Sequence, residues 1–528
     1  MSFKVLVSDS LSKEGIEALE ADSRIQVDIK TKLTPAELEN VIGEYDALIV
    51  RSETKVTESV LRAAKKLKII GRAGVGLDNI DIEAASKKGV IVVNTPGGNT
   101  ISTAEHSFSM ILNLSRNISR ADASMKSGKW DRKKFMGVEL YGKTLGIVGL
   151  GRVGKEVATR AMSFGMKVLA FDPYLPTEKS KELGVLLVDL TELLKKSDYI
   201  TLHMPLTQET KHMVGANELK AMKDGVRIIN CARGGIIDED ALVDAIDAGK
   251  VAGAALDVFE EEPPKNERLL KCDKLVITPH LGASTEEAQV NVAIDVANTI
   301  KDALIHNAIR NAVNAPSVDP EVLKVIGPHI KLAEDIGTMQ AQMIDGHIKQ
   351  IRIRYVGDIV KHDLTPLSIA LVKGMLTPIL QEGVNFVNAM MIAKERGIRI
   401  TETKTAEIQD FASLIWVEVE TDKGKNSIMG TLFTKVDPRI VKINEFYVDA
   451  VPKGIMLVIY NNDVPGVIGE IGMILGDSKI NIAEMSFGRE KPGGDAITVL
   501  NVDCKIPEEV LARIRKAKNI RDVKVVRL

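Results

Sequence analysis

Cysteine is scarce in this chain: Cys231, Cys272 and Cys504 are spread through 528 residues. They lie far apart with no C-x-x-C spacing, so neither a zinc site nor a disulfide framework is expected, and no metal site is read. A reducing compartment, the cytoplasm, fits this best. Charge of one sign is also missing. A formal net charge of -2 gives no electrostatic footprint for nucleic acid or an anionic membrane. The short basic blocks Lys65-Lys66 and Arg132-Lys133-Lys134 do not change that. No apolar run approaches the roughly 20 residues that a membrane span needs. Met1-Ser2-Phe3-Lys4 runs directly into Val5-Leu6-Val7, which reads as a first strand and not as a secretory leader. Neither an internal repeat nor a low-complexity stretch is found.

What is present is a long chain of ordinary globular composition, 45% hydrophobic and 27% charged. Its length exceeds one hydrophobic core and suggests roughly three or four domains. Residues 1–98 alternate short apolar runs with helical stretches, the rhythm of a parallel α/β sheet. Strands are expected at Val5–Ser8, Ala47–Val50, Lys68–Gly71 and Val90–Asn94, with helices at Ser12–Glu20 and Pro35–Ile42. Two capping-box signals follow, Ser102-Thr-Ala-Glu105 and Ser284-Thr-Glu-Glu287. They predict long helices reaching about Met125 and about Ile305, bracketing a second α/β unit. That arrangement predicts a discontinuous first domain with a nucleotide-binding unit inserted. Asn311 to Pro320, polar with two prolines, reads as an irregular linker. Residues 320–450 mix helix and strand without a legible motif. After a break at Val451-Pro-Lys-Gly454, residues 455–528 read as strand-helix-strand-strand-helix-strand.

The chemistry begins with Gly149-Leu-Gly151-Arg-Val-Gly154, placed between the strand Leu145–Val148 and the helical run Lys155–Met162. This is G-x-G-x-x-G in the setting it requires. Gly149 permits the turn, Gly151 admits a pyrophosphate and Gly154 lets helix and strand pack closely. The helix N-terminus then offers free N–H groups to the phosphates. The next strand, Lys167–Phe171, ends in Asp172, an acid placed to accept ribose hydroxyls and repel a 2′-phosphate, so NAD is favoured over NADP.

Arg233, Glu262 and His280 follow the ends of successive expected strands, the edge where open α/β sheets bind ligands. The set suits hydride removal from a 2-hydroxy acid. A histidine takes the hydroxyl proton, a carboxylate stabilises the imidazolium, and an arginine grips the substrate carboxylate. His203, also at a strand end, reads as structural. Taken singly, Arg233 is also readable as a loop ion pair and Glu262 as a solvated acid.

Gly149–Gly154, Cys231-Ala-Arg-Gly-Gly235, Asp257-Val-Phe-Glu-Glu-Glu-Pro263 and Thr278-Pro-His280 together resemble the signatures of the D-2-hydroxyacid dehydrogenase family, over roughly residues 1–310. Val50-Arg-Ser52, Gly71 to Asn79 and Gly128 to Lys134 resemble its long branch, which oxidises 3-phospho-D-glycerate on the route to serine. The resemblance implies an α/β fold. It comprises a discontinuous flavodoxin-like substrate domain (1–98 and 284–312) and a Rossmann-type NAD-binding domain (99–283). An α+β intervening domain (318–450) and a βαββαβ ACT regulatory domain (455–528) follow. It further implies His280 as acid/base, Glu262 as its partner and Arg233 as the substrate-orienting cation. NAD would be met by Val75, Gly149, Gly151, Arg152, Val153, Gly154, Asp172, Cys231, Ala232, Arg233, Asp257, His280, Gly282 and Ala283, with Asp257 near the nicotinamide amide. The substrate carboxylate would meet Ala73, Gly74 and Val75. Its phosphate would meet Arg51, Ser52, Arg72 and, from this or a partner subunit, Arg132.

Asn461-Asn-Asp463-Val-Pro465-Gly466, with Asn481-Ile482 further on, resembles the ligand-binding signature of ACT domains. The resemblance implies L-serine as effector, with Asp463 on its ammonium and Asn461 and Asn481 as amide partners, and a homotetramer built through paired nucleotide and ACT domains. Asp-Val-Pro-Gly is equally a good turn, and Val464 stands where such domains usually carry a basic residue. Two other readings stay open. One is a family member acting on an unphosphorylated acid such as glyoxylate, hydroxypyruvate or D-lactate. The other is a dinucleotide-sensing binding protein that keeps the fold and recruits partners.

Overall fold

The computed structural model describes residues 2–306, 308–316, 320–380, 383–407 and 411–528. Strands are numbered in chain order and helices named by their residues. In the first sheet β1 (Phe3–Val7), β2 (Ile25–Ile29), β3 (Ala47–Val50), β4 (Ile69–Arg72) and β5 (Ile91–Val93) pair in parallel, in the order β2-β1-β3-β4-β5. This is a flavodoxin-like order. Every residue of β3 is buried, and Val5, Leu6 and Val7 are fully so. Parallel strands covered on both faces read as such continuous apolar runs. β2 goes beyond the strands read from sequence. Its Ile25, Val27 and Ile29 alternate with Gln26 and Asp28 at the sheet edge, so no apolar run marks it.

The core of this sheet is completed from far along the chain. The helix Glu286–His306 packs Val292, Val296, Ile300 and Leu304 against Val5, Val7, Ile49 and Ile69. Burial of each such side chain is worth about 1.5–3 kcal/mol. The segment read as an irregular linker also joins this sheet. Asn94 N–H donates to Asn311 O (3.3 Å) and Val313 N–H to Val92 O (2.9 Å). The Asn314 side chain accepts from Val92 N–H (2.8 Å) and donates to Val90 O (2.8 Å). The remainder of that stretch, 317–319, and with it the expected start of the intervening region at 318, lies outside the described residues.

Both capping boxes are displaced. The first helix is Thr100–Arg116, so Ser102 sits inside its first turn and donates to Asn99 O (3.0 Å). It stops short of Met125 because Asn117 turns left-handed (φ 53°), a conformation asparagine tolerates, and a separate helix Ile118–Lys126 follows. At the second box Thr285 Oγ1, not Ser284, accepts from the N–H three residues on, Ala288 (3.2 Å).

The second sheet comprises β6 (Thr144–Val148), β7 (Lys167–Phe171), β8 (Leu186–Leu187), β9 (Tyr199–Leu202), β10 (Val226–Asn230), β11 (Val251–Leu256) and β12 (Leu275–Ile277). All neighbours are parallel, in the order β12-β11-β10-β9-β6-β7-β8. The winding reverses between β6 and β9, the switch point where such sheets open a crevice.

In the C-terminal half, β13 (Ile348–Gly357), β14 (Arg399–Thr405), β15 (Ser413–Thr421), β16 (Lys425–Leu432), β17 (Pro438–Ile443) and β18 (Phe446–Ala450) form one sheet, ordered β14-β13-β15-β16-β17-β18. The last sheet, β19 (Ile455–Asn462), β20 (Ile482–Arg489), β21 (Asp495–Val502) and β22 (Ile520–Arg527), is antiparallel in the order β20-β21-β19-β22. Its helices Val467–Asp477 and Glu508–Lys516 cover one face. On the other face Met456, Val458, Ile497, Val499 and Val526 join the core built by Ile326, Leu332 and Ile336. The break at 451–454 therefore separates two sheets that share one core. Among the described residues no helix is long and apolar enough to cross a membrane.

Replacing Asn314 by alanine leaves Val92 N–H and Val90 O without their partners at the sheet edge. The expected cost is about 1–3 kcal/mol, read as a lower midpoint of urea unfolding followed in the N-terminal half.

Candidate active site

The C-terminal edges of the first two sheets face one another across a cavity of about 280 Å³. The first sheet contributes Arg51 and Ser52 after β3 and Arg72 to Gly76 at the end of β4. The second contributes Arg233 after β10, Glu262 after β11 and His280 and Ala283 after β12. The structure thus brings Arg233, Glu262 and His280 to one cavity.

His280 stands on a tight turn with φ 56°, its N–H donating to Thr278 O (3.0 Å). Its Nδ1 lies 2.8 Å from Glu262 Oε2, and the other carboxylate oxygen accepts Phe259 N–H (3.2 Å). The Glu262 hydrogen bond raises the His280 pKa above the ordinary histidine value against the opposing effect of burial. Burial pushes Glu262 up, but the hydrogen bond and charge of His280 outweigh it, and Glu262 ends below its usual value. With Nδ1 engaged, Nε2 is left to exchange a proton in the cavity.

What holds the His280 loop is Asp257, fully buried at the end of β11. Its Oδ1 accepts Leu281 N–H (2.7 Å) and the Thr278 hydroxyl (2.6 Å), and its Oδ2 accepts Gly282 N–H (2.8 Å). His106 Nε2 lies 3.2 Å from Oδ1. Burial alone would raise this carboxyl, yet the bonds from His106, Thr278 and Leu281 hold it below the usual carboxylate value. His106, Cys231 and Asp257 bring potential metal-ligand atoms within 4.8 Å of one another. The carboxylate there is spent on the loop, and burial pushes the Cys231 thiol up to about 12, so it stays protonated.

Arginine dominates the opposite wall. Arg51 Nη1 donates to Ser10 O (3.2 Å), and its backbone N–H is held by Asp9, a buried acid that also accepts from Thr54 N–H. The Nε atoms of Arg51 and Arg72 are buried without a partner. Burial, with the neighbouring Arg233 adding to it, lowers Arg72 to about 10. A cavity walled by Arg51, Arg72 and Arg233 offers concentrated positive charge to an anion. The loop after Arg72 is fixed by Asn94, whose amide donates to Val75 O (2.7 Å).

The G-x-G-x-x-G turn follows β6 at the same C-terminal edge of the second sheet. Gly149 has φ 94°, and a side chain at Gly154 would collide with Gly149 O. Gly151 caps the helix Arg152–Ser163 without a side-chain bond, and nothing lies within 4 Å of where its Cβ would be. The open space and unspent N–H groups at Arg152 and Val153 fit a pyrophosphate. Asp172 accepts Leu150 N–H (2.9 Å) and Tyr174 N–H (2.9 Å), so it braces the turn while keeping lone pairs for a ribose. His203 bonds Thr201 Oγ1 (2.9 Å), and burial pushes its pKa down to about 4.

Residues 108–282 match the model of the D-isomer specific 2-hydroxyacid dehydrogenase NAD binding domain. Residues 325–444 match the D-3-phosphoglycerate dehydrogenase intervening domain, and 455–519 the ACT domain. D-3-phosphoglycerate dehydrogenase of Synechocystis is 47% identical over 99% of this chain and 95% of that one. The protein of that name from Methanocaldococcus jannaschii is 46% identical over 99% of this chain and all of its own length. The chain belongs to the D-3-phosphoglycerate dehydrogenase family. Among solved structures, D-lactate dehydrogenase of Aquifex aeolicus complexed with NAD and lactic acid is 33% identical with a TM-score of 0.53, over 59% of this chain and 100% of that one. The enzyme is a 2-hydroxyacid dehydrogenase that uses NAD.

Other residues read from the sequence are not gathered within one chain. Arg132 is exposed on the short helix Arg132–Phe135 and does not line the cavity. In the ACT sheet, Asn461 is buried and donates to Asn462 O (2.9 Å), while Asp463 accepts from Gly493 N–H (3.1 Å) and Arg489 (3.0 Å). Asn481 bonds Asp503 (2.7 Å) and precedes β20 at its Val502 end, whereas Asn461 pairs with Ala496 at the other end of the sheet. No role for Asp9, Asp78, His106 or Thr278 is read from the sequence alone, although Asp78 and Thr278 lie within the motifs Gly71 to Asn79 and Thr278-Pro-His280. Asp9, in a polar Ser-Asp-Ser after β1, carried a strand-end signal of the kind that marked Arg233.

Replacing Glu262 by glutamine removes the main cause of the raised His280 pKa. His280 then loses its proton at lower pH. The acid limb of kcat/KM for oxidation is expected to move to lower pH while kcat falls about 10²-fold or more, measured as NADH formation across pH 5–10.

Proposed function

We propose that the chain catalyses the NAD-dependent oxidation of 3-phospho-D-glycerate to 3-phosphooxypyruvate, the first step of phosphorylated serine synthesis. The observation that carries this reading is the joining of the His280–Glu262 pair to a cavity walled by Arg51, Arg72 and Arg233. The substrate carboxylate lies against Gly74, Val75 and Arg233, and its hydroxyl faces His280 Nε2. His280 takes the hydroxyl proton, and Glu262 stabilises the imidazolium that forms. NAD, when bound, would supply the acceptor for the hydride that leaves C2. Arg233 polarises the oxygen that becomes a carbonyl. The phosphate, a dianion, falls to Arg51, Ser52 and Arg72, which line the cavity with two guanidinium groups and a hydroxyl.

NAD is held by the Gly149–Gly154 turn, with Arg152 and Val153 at the pyrophosphate and Asp172 at the adenine ribose. Val75, Cys231, Ala232, Asp257, Gly282 and Ala283 surround the nicotinamide end, where Asp257 acts through the loop it anchors. The domains are taken as 1–98 with 284–312, 99–283, 318–450 and 455–528. Arg132 acts in this reading on a partner's cavity. The exposed apolar side chains of Trp130, Met136 and Tyr141 around it are surface a second copy would cover. Serine binding at Asp463, Asn461 and Asn481 likewise needs two ACT units facing each other, in keeping with a homotetramer. A cytoplasmic location is in keeping with the scarcity of cysteine.

The test is NADH formation by the purified chain with 3-phosphoglycerate, D-glycerate or D-lactate. The phosphorylated acid is expected to give the highest kcat/KM. Arg51→Ala is expected to reduce that value about 10- to 100-fold, the loss of a charged hydrogen-bonding group, and to leave D-glycerate nearly unchanged. A higher kcat/KM for an unphosphorylated acid would move the enzyme to another substrate of the same family.

A further inference from the structure

An aspartate lines the cavity into which an anion has to pass. Asp78 stands on its wall beside Arg51, Arg72 and Arg233. A bare carboxylate there would repel the substrate. This one is engaged: its Oδ2 lies 3.3 Å from Arg233 Nε. Asp78 follows β4 of the first sheet and Arg233 follows β10 of the second, so the pair spans the cleft.

The rest of the Arg233 guanidinium is equally constrained. Nη1 donates to Ala232 O (2.6 Å). The group passes directly over Gly76, where any Cβ would collide with Arg233 Nη2 and come within 3.0 Å of Asp78 Oδ2. Asn230 fixes the base of the side chain, its amide donating to Arg233 O (2.8 Å). With Asp78 ion-paired at the Nε edge and one Nη1 proton donated to Ala232 O, Nη2 and the second Nη1 proton are left beside the cavity. The Asp78 side chain is 73% exposed, so the ion pair adds little to stability. Its value lies in orientation, since small misplacements of a catalytic cation carry large rate penalties.

We propose that Asp78 is a positioning residue that reaches across the cleft to fix the Nε edge of Arg233, with Gly76 as the seat that lets the guanidinium lie there, and so sets the substrate carboxylate in register with His280. The proposal rests on the reading of Arg233 as the substrate-orienting cation.

The test is a double-mutant cycle on the full-length enzyme with NAD and 3-phosphoglycerate. Asp78→Ala is expected to lower kcat/KM about 10- to 100-fold, with NADH affinity from fluorescence titration and the thermal midpoint unchanged. Asp78→Asn keeps an oxygen acceptor for Nε and is expected to recover most of the loss, which a merely structural role would not require. In an Arg233→Ala background, Asp78→Ala should cost nothing further, because its only route to the substrate is gone. An unaltered kcat/KM in Asp78→Ala, or the same loss with and without Arg233, would overturn the proposal. An Arg233→Ala enzyme with wild-type kcat/KM would overturn the reading beneath it, and the single variant alone reveals that case.

Discussion

Asp257 brings a carboxylate into the protein interior at the end of β11, and its oxygens collect two main-chain N–H groups, a hydroxyl and an imidazole. A buried charge is tolerated only when its hydrogen bonds replace the water it has lost. Here the replacement donors all come from the Thr278–Gly282 turn and from His106 on the helix that opens the cofactor domain. The turn they hold carries His280 in a left-handed conformation, which costs on the order of 1 kcal/mol for a residue other than glycine. The His280–Glu262 pair, the orientation of Nε2 and the raised histidine pKa all depend on that turn staying in place. Chemistry at the mouth of the cleft therefore depends on electrostatics settled beneath it.

The cleft itself is a consequence of chain routing. The helix Glu286–His306 returns to the first sheet only after the second sheet is complete, and its apolar stripe closes the core that β1, β3 and β4 leave open. The two parallel sheets are then bound to present their C-terminal edges to each other. One edge brings two arginines, and the other brings an acid/base pair and the dinucleotide turn. Neither edge alone holds a 2-hydroxy acid against a nicotinamide.

Local patterns made much of this legible in the sequence. The strands, the glycine turn with Asp172, and Arg233, Glu262 and His280 are each marked by residues close by in the chain, in periods and turn types that need no distant partner to be recognised. What stayed hidden is non-local. The bonds of Asp257 to His106 and of Asp78 to Arg233 join residues about 150 apart along the chain, and no pattern in either segment announces the other. Nothing near Asp257 in the sequence announces that its oxygens collect donors from the Thr278–Gly282 turn and from His106. Asn311 to Asn314 looked irregular because its pairing partner is β5, more than two hundred residues earlier. The common core of the last two sheets was hidden for the same reason: the apolar alternation of β19 and β21 does not say what covers each face.

The most direct measurement is the crystal structure of the full chain with NADH and 3-phosphoglycerate. The account expects the substrate carboxylate on Gly74, Val75 and Arg233, the C2 hydroxyl within hydrogen-bond distance of His280 Nε2, and the phosphate on Arg51 and Arg72. A hydroxyl out of reach of His280, or a phosphate bound away from both arginines, would contradict it.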